Sequence, residues 1–243
     1  MKLVQLNVWW GGKLGYNIKE FLKEEAPDIL CLQEAMSADK TDSLFYPVQR
    51  ISKDAEFKYT LFSPLISYSF MQGKVSMGNA ILSRKPITES FTMFTNLEHT
   101  EDFDFFVHDY NVRNLVHAKI KNGNKTINVL THHGHHVPHH KEGNKETDRQ
   151  CREIANYIKD LSGPVILTGD FNLSPHSKSL KPLNDMLENL PVKHKSKTTR
   201  NFLTHKQEVC DYIFINGKVK EKHFEVSEKI VSDHAALILE FDI

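Results

Sequence analysis

Residues 165–172 read Val-Ile-Leu-Thr-Gly-Asp-Phe-Asn, a short apolar run that stops at a glycine and two oxygen-bearing side chains. A run of this length without polar interruption suits a strand covered on both faces. Immediately upstream, residues 144–161 place Cys151, Ile154, Ala155 and Ile158 on one helical face and end in Ser162-Gly163-Pro164, so a helix feeds this strand. The chain opens with the same grammar. Residues 2–8 (KLVQLNV) read as a strand, Gly11-Gly12 as a turn, and residues 17–25 as an amphipathic helix ended by Pro27; residues 28–33 (DILCLQ) form a second buried strand that stops at Glu34. Between these units lie strand-like segments at 58–62, 75–83, 87–94, 113–121 and 126–131, the last two joined by the hairpin signal Lys121-Asn-Gly-Asn-Lys125. A second helix is predicted over 177–190 and strands over 209–215 and 235–241. Strands alternating with helices, with hairpins in the middle, predict an α/β fold of two packed sheets with helices outside. No repeat or linker interrupts the pattern, and a single domain over residues 1–243 is expected.

The 243 residues are 40% hydrophobic and 26% charged, which excludes a disordered or collagen-like chain. No stretch approaches the roughly 18 apolar residues of a membrane helix. Lys plus Arg (31) equal Asp plus Glu (31), so the basic excess of a protein held mainly by DNA phosphates is absent and any nucleic-acid contact must be local. Cys31, Cys151 and Cys210 form no CxxC pair, and a disulfide framework is not expected. The first residues, MKLVQLNVWW, lack the apolar h-region and small-residue cleavage site of a signal peptide, so a cytoplasmic location is expected, as is a monomer.

Apolar strands in this chain repeatedly stop at one kind of residue: Asn7 in LVQLNVW, Glu34 in DILCLQE, Asp170 and Asn172 in PVILTGDFN, Asp211 in EVCDYIF, and Asp233 and His234 in IVSDHAALIL. Placing such groups beside a core costs several kcal/mol unless each is paired or binds a metal. Taken singly, each can cap a helix or hold a turn; together they suggest a site. Hard oxygen donors without cysteine suit Mg²⁺, Mn²⁺ or Ca²⁺ better than Zn²⁺.

The blocks LNVW, LQE, GNAILSR, LTHH, GDFN, CDYIF and SDH, in this order from Leu6 to His234, resemble the endonuclease/exonuclease/phosphatase superfamily of deoxyribonuclease-like fold. The resemblance implies a four-layer α/β sandwich, two mixed β-sheets packed face to face with helices outside, and a Mg²⁺- or Mn²⁺-dependent hydrolase of phosphate esters. It assigns Glu34, with Asn7 and Asp233, to the metal. The resemblance further implies that Asp170 orients or deprotonates the attacking water, that Asn172 donates to the phosphate, that His234 contacts the scissile phosphate, and that Asp211 fixes the tautomer of His234. Asn79 and His132 fall in blocks that line the phosphate pocket and are expected to contact substrate. Arg113 stands where the family often has an arginine, and a solvent-facing arginine reads equally well.

One feature departs from the family: six of the fourteen histidines lie within Thr131-His-His-Gly-His-His-Val-Pro-His-His140. A polar loop at the pocket rim is the plain reading; transition-metal binding and attraction of phosphate are the alternatives. Family motifs do not separate nucleases from lipid phosphodiesterases or small-ester phosphatases. The basic run Lys193-His-Lys-Ser-Lys-Thr-Thr-Arg200 favours a phosphodiesterase or nuclease acting on nucleic acid, which is the leading expectation. Zero net charge and the acidic loop 98–104 favour the alternative, a phosphomonoesterase or a sphingomyelinase- or inositol-phosphatase-like enzyme. Phe103, Phe105 and Phe106 read as stacking residues, acyl-chain contacts or a small core. A non-catalytic metal-binding scaffold is the third reading, weakened by the presence of Glu34, Asp170, Asn172, Asp211 and His234 together.

Overall fold

The computed structural model describes residues 1–38, 45–71 and 73–243. In chain order the elements are β1 (Lys2–Asn7), α1 (Trp9–Gly12), α2 (Gly15–Glu25), β2 (Ile29–Ala38), α3 (Val48–Asp54), β3 (Tyr59–Phe70), β4 (Gly73–Ser83), β5 (Ile87–Asn96), β6 (Arg113–Asn122), β7 (Lys125–His133), α4 (Lys145–Lys159), β8 (Val165–Asp170), a 3₁₀ turn (Lys178–Leu180), α5 (Lys181–Asn184), β9 (Glu188–Asn189), α6 (Leu190–Lys193), β10 (Asp211–Ile215), β11 (Lys220–Val226) and β12 (Leu237–Asp242). They form two six-stranded sheets, ordered β11-β12-β1-β2-β4-β3 and β5-β6-β7-β8-β10-β9. Both are mixed: β1 runs parallel to β2 and β7 parallel to β8, each pair joined across a helix, and the other pairings are antiparallel.

Period-two alternation along the strands explains the layers. In β1, Leu3 faces the second sheet and joins Ile29, Val116, Val129, Ile166 and Ile213, while Val4 and Leu6 face outward to Ile18, Phe21 and Leu22 of α2. The outer face of the second sheet buries Leu130, Leu167 and Phe214 against Cys151, Ile154 and Ile158 of α4. Full burial of each such side chain contributes roughly 1.5–3 kcal/mol. Three apolar seams separate four layers, helix, sheet, sheet, helix, as the resemblance implies. Asn144 caps α4, its side chain accepting from the amides of Glu146 and Thr147 in a capping box. Among the described residues, no helix is long and apolar enough to cross a membrane.

Three elements differ from expectation. The helix predicted over 177–190 breaks into the 3₁₀ turn, α5 and the edge strand β9. Ser177 and Asn189 bond local amides, and Asn189 pairs with Phe214 of β10, so sheet pairing and side-chain caps outcompete a continuous helix. Strand β11 escapes sequence reading because only Phe224 of its residues is buried. Strand β2 does not end at Glu34 but continues to Ala38. Its register with β4 jumps from Leu32↔Ala80 to Ala35↔Gly78, so Gln33 and Glu34 bulge opposite Asn79.

Gly169, one residue before Asp170, has φ 149°, and a Cβ there would lie 2.0 Å from the carbonyl oxygen of His132. Gly169→Ala is expected to destabilise the fold by about 2–4 kcal/mol in urea unfolding. Gly217→Ala, in open space, should stay within about 0.5 kcal/mol of the parent.

Candidate active site

The ends of both parallel pairs meet at one edge of the sandwich. The bulge in β2 turns Glu34 toward the cleft with φ 53°, and Trp9, Trp10 and Asn172 also have positive φ, at 58°, 48° and 55°. Each such non-glycine residue costs of order 1–3 kcal/mol, and these four of the eleven among the described residues stand around this cleft. Between them lies a cleft of about 280 Å³ lined by Trp9, Trp10, Glu34, Leu65, Met77, Phe105, Tyr110, Arg113, His133, His136, Asp170, Asn172, Arg200, Lys206, Asp233 and His234. A more open hollow of about 440 Å³, lined by Arg200, Lys197, Phe224 and Glu228 among others, holds none of the site residues predicted from the sequence.

Strand register places Asp211, at the start of β10, directly opposite Asp170, at the end of β8. His234 stands between them. Its Nδ1 lies 2.9 Å from Asp211 Oδ2 and its Nε2 3.6 Å from Asp170 Oδ2. Burial alone would lower the pKa of His234, but Asp211 and Asp170 outweigh it and raise the pKa above the ordinary imidazole value. Burial works against the charge of Asp170 too, yet His234, His133, Lys141 and Arg200 hold its carboxyl well below the usual range. Asp211, fully buried, also accepts from Gln5 Nε2 at 3.2 Å and from Thr199 Oγ1 at 2.7 Å.

Asn7 ties the two halves of the site together. Its amide nitrogen donates to Glu34 Oε1 (3.0 Å) and Asp170 Oδ2 (3.2 Å), while its Oδ1 accepts from the amide of Trp9 at 3.0 Å. The amide of Trp10 donates to Glu34 Oε2 at 2.8 Å. Each Glu34 oxygen therefore keeps lone pairs for a hard cation, and Asp233 contributes a second carboxylate to the cleft wall. This donor set fits Mg²⁺ or Mn²⁺, which take one or two carboxylates and fill the rest with water and phosphate oxygens. The tightest cluster of ligand-capable atoms among the described residues is another one, Asp170, Cys210 and His234 within 4.8 Å. That set is mixed in softness and already hydrogen-bonded, with Cys210 Sγ donating to Asp211 Oδ2 at 3.4 Å.

Asn172 Oδ1 accepts from the buried Lys141 Nζ at 2.5 Å, and its Nδ2 donates to the Gly134 carbonyl at 3.3 Å, leaving one amide hydrogen free. The structure thus brings together Asn7, Glu34, Asp170, Asn172, Asp211, Asp233 and His234. It does not bring Asn79 or His132 to the cleft wall. Asn79 donates to Asn114 Oδ1 at 2.8 Å between the sheets, and His132, fully buried against Phe171, holds Nδ1 2.9 Å from the Asn114 carbonyl. Both brace β6 from behind the cleft. One step along β7 the alternation turns the other way, so His133 faces the site, 3.8 Å from Asp170. Burial keeps His132 low, at about 4, and His133 well below its ordinary value. The histidine tract does not converge: His136 lines the cleft 2.8 Å from the Tyr110 hydroxyl, His139 and His140 are exposed, and among the described residues the tract supplies no group of three metal-capable atoms. Arg113 is buried, not solvent-facing, and spends its donors on the carbonyls of Gly134, Tyr110 and Val112 and on Asn111 Oδ1. Phe103 closes a small core with Leu65, Ile66 and Val112, while Phe105 joins Trp10 at the cleft wall, ring centroids 5.8 Å apart. The cysteines are all free and buried.

The model of the Endonuclease/Exonuclease/phosphatase family matches residues 4–234. The chain belongs to the endonuclease/exonuclease/phosphatase family. Solved structures share its fold at low identity. A protein of this family from Beutenbergia cavernae superposes with TM-score 0.77 at 15% identity, over 100% of this chain and 71% of that one. A humanized D. rerio TDP2 gives 0.71 at 17%, over 100% and 99%. A mannosyl-6-phosphatase from Bacteroides thetaiotaomicron gives 0.66 at 15%, over 100% of both chains. No curated protein sequence matches the chain. The family's hydrolase fold is therefore established here.

Sequence reasoning passed over Thr199, Arg200, Lys141 and His133 as site residues. The first two close a run read only as charge. Thr199 Oγ1 donates to Asp211 and accepts from the amides of Cys210 and Asp211, both at 3.1 Å. Thr199→Val keeps the shape but strands these partners, and a loss of about 1–3 kcal/mol is expected in chemical denaturation.

Proposed function

We propose that this chain is a divalent-metal-dependent hydrolase that takes a single phosphate ester of a small molecule into its cleft. The observation that carries the reading is the line Asp211, His234, Asp170: two buried carboxylates flanking one imidazole, with Nε2 3.6 Å from Asp170 Oδ2, open to a cleft that Glu34 and Asp233 also line. Glu34 and Asp233, with Asn7 as positioner and oxygen donor, would hold Mg²⁺ or Mn²⁺. When bound, such an ion supplies charge neutralisation at the phosphoryl and leaving oxygens.

The chain's own residues do the rest. Asp170 stays ionised at neutral pH and accepts a hydrogen bond that orients a water in line with the ester bond. Asn172, its oxygen fixed by Lys141, offers its free amide hydrogen to a phosphoryl oxygen. His234, its pKa raised by Asp211 and Asp170, donates from Nε2 to the charge that develops on the phosphate. Thr199 and Gln5 keep the Asp211 carboxylate facing Nδ1.

Nucleic acid fits this surface less well than a small ester does. Lys193 and His194 of the basic run are paired with Glu188 and Glu221, and Arg200 turns into the cleft instead of along the surface. The mannosyl-6-phosphatase of this fold supports a small phosphorylated substrate.

A hydrolysis panel with Mg²⁺ and Mn²⁺ tests the reading: p-nitrophenyl phosphate, bis-p-nitrophenyl phosphate, sugar and inositol phosphates, sphingomyelin, RNA, and single- and double-stranded DNA, with Asp170→Ala as blank. Metal-dependent turnover of small esters, lost in the blank and in EDTA, is expected. His234→Ala should lower kcat by roughly 10²–10⁴ with the fold intact. Turnover confined to nucleic acid would restore the nuclease expectation, and activity that survives EDTA would remove the metal from the proposal.

A further inference from the structure

Arg200 is the residue of the site whose hydrogen-bonding capacity is least spent. Its side chain is 9% exposed, and its only ion-pair contact among the described residues is a loose one, Nη2 3.6 Å from Asp233 Oδ2. Its Nε and Nη1 are buried without a partner among the described residues. Other buried side chains also carry such atoms, including Gln5, Gln33, Asn79 and His132, but among the described residues only Arg200 combines one with a place on the cleft wall. The Arg200 side chain lines the cleft with donors that no protein group among the described residues takes up, and a planar guanidinium fork matches two oxygens of a phosphate. Beside it, Lys206 also lines the cleft and has no carboxylate within ion-pair distance among the described residues. Burial, then repulsion from Lys141 and Arg200, lowers its pKa, as expected where cations converge without their own counter-charges.

Strand order sets the polarity of the cleft. Leu65 on β3, Met77 on β4, and Phe105 and Tyr110 between β5 and β6 lie toward one end of the two sheets. Arg200 is bridged to His234, near the β10 and β12 end. An organic substituent fits the aromatic end. Within the cleft this end is lined by charged side chains, Arg200 and Lys206 beside Asp233 and His234, so it fits a terminal, charged oxygen better than a second ester substituent. A diester has two non-bridging oxygens, which the donors of His234 and Asn172 already address; a monoester has a third oxygen and a further negative charge.

We propose that Arg200, assisted by Lys206, is a specificity-determining residue that binds the terminal oxygens of a phosphate monoester, so that this site selects monoesters over diesters. The proposal rests on the hydrolase reading above for its catalytic consequence, but not for its anion site.

The test uses two readouts on the full chain with Mg²⁺ present: the ratio of kcat/KM for p-nitrophenyl phosphate to that for bis-p-nitrophenyl phosphate, and calorimetric binding of inorganic phosphate. Arg200→Lys keeps the charge and removes the fork; Lys206→Gln alters a half-exposed loop residue and guards against misfolding of the first variant, with circular dichroism as the check on both. The parent should favour the monoester. Each variant should lower the ratio by about tenfold or more and weaken phosphate binding by about 10- to 100-fold, the range for losing a charge-assisted hydrogen bond. A parent that prefers the diester, or variants with unchanged ratio and phosphate affinity, would overturn the proposal while leaving the hydrolase reading standing. Phosphate binding that depends on Arg200 in a protein that turns over neither ester would do the reverse.

Discussion

Asp170 and Asp211 face each other across the β8–β10 ladder, and both are withdrawn from water. Two carboxylates so placed repel each other and lose their hydration, a combination that would ordinarily protonate one of them. The surroundings oppose this from every side. His234 stands between the two, Lys141 and Arg200 add positive charge near Asp170, and hydrogen bonds from Asn7 to Asp170 and from Gln5 and Thr199 to Asp211 supply further donors to the oxygens that the imidazole faces. The same arrangement favours the charged imidazole, since Asp211 and Asp170 both raise the pKa of His234. The positions of β1, β7, β12 and the loop before β10 all answer to that mutual requirement.

The polar residues between the sheets follow from the same need. A sandwich of this kind would be simplest with an apolar seam throughout, and most of the seam is Leu, Ile and Val. Near the site it changes character. Gln5, Gln33, Asn79, Asn114, Thr131 and His132 replace the aliphatic residues and bond one another or the site in pairs, with Gln33 Nε2 donating to Thr131 Oγ1 at 2.7 Å and Asn79 Nδ2 to Asn114 Oδ1 at 2.8 Å. Such a layer adds less to stability than packed hydrocarbon but fixes side-chain orientation behind the cleft. This is why Asn79 and His132, whose blocks resemble pocket-lining motifs, stand one layer back.

Much of this was legible in the sequence, and the parts that were not share a cause. Apolar runs interrupted by Asn7, Glu34, Asp170 and Asp211 announced the site because placing a polar group beside a core is costly and therefore informative. The parallel units around α2 and α4 were legible from periodicity. What stayed hidden depends on contacts between distant segments. Thr199 and Arg200 sit in a stretch whose composition is that of a solvated loop, and only the bridge from Arg200 to His234 reveals their position. The choice between His132 and His133 turns on the parity of β7, which neighbouring histidines of identical type cannot reveal. β9 and β11 are edge strands with few buried side chains, so the hydrophobic signal that identified the central strands was absent.

The site is divided evenly between the two sheets. The β1–α2–β2 unit brings Asn7 and Glu34, the β7–α4–β8 unit brings His133 and Asp170, and the bonds from Asn7 to Asp170 and from Gln5 to Asp211 cross the gap between them. Neither half carries a working set of groups. A chain with one sheet alone would lack the groups that the other sheet contributes, so the chemistry proposed for this cleft would require the two sheets to be docked.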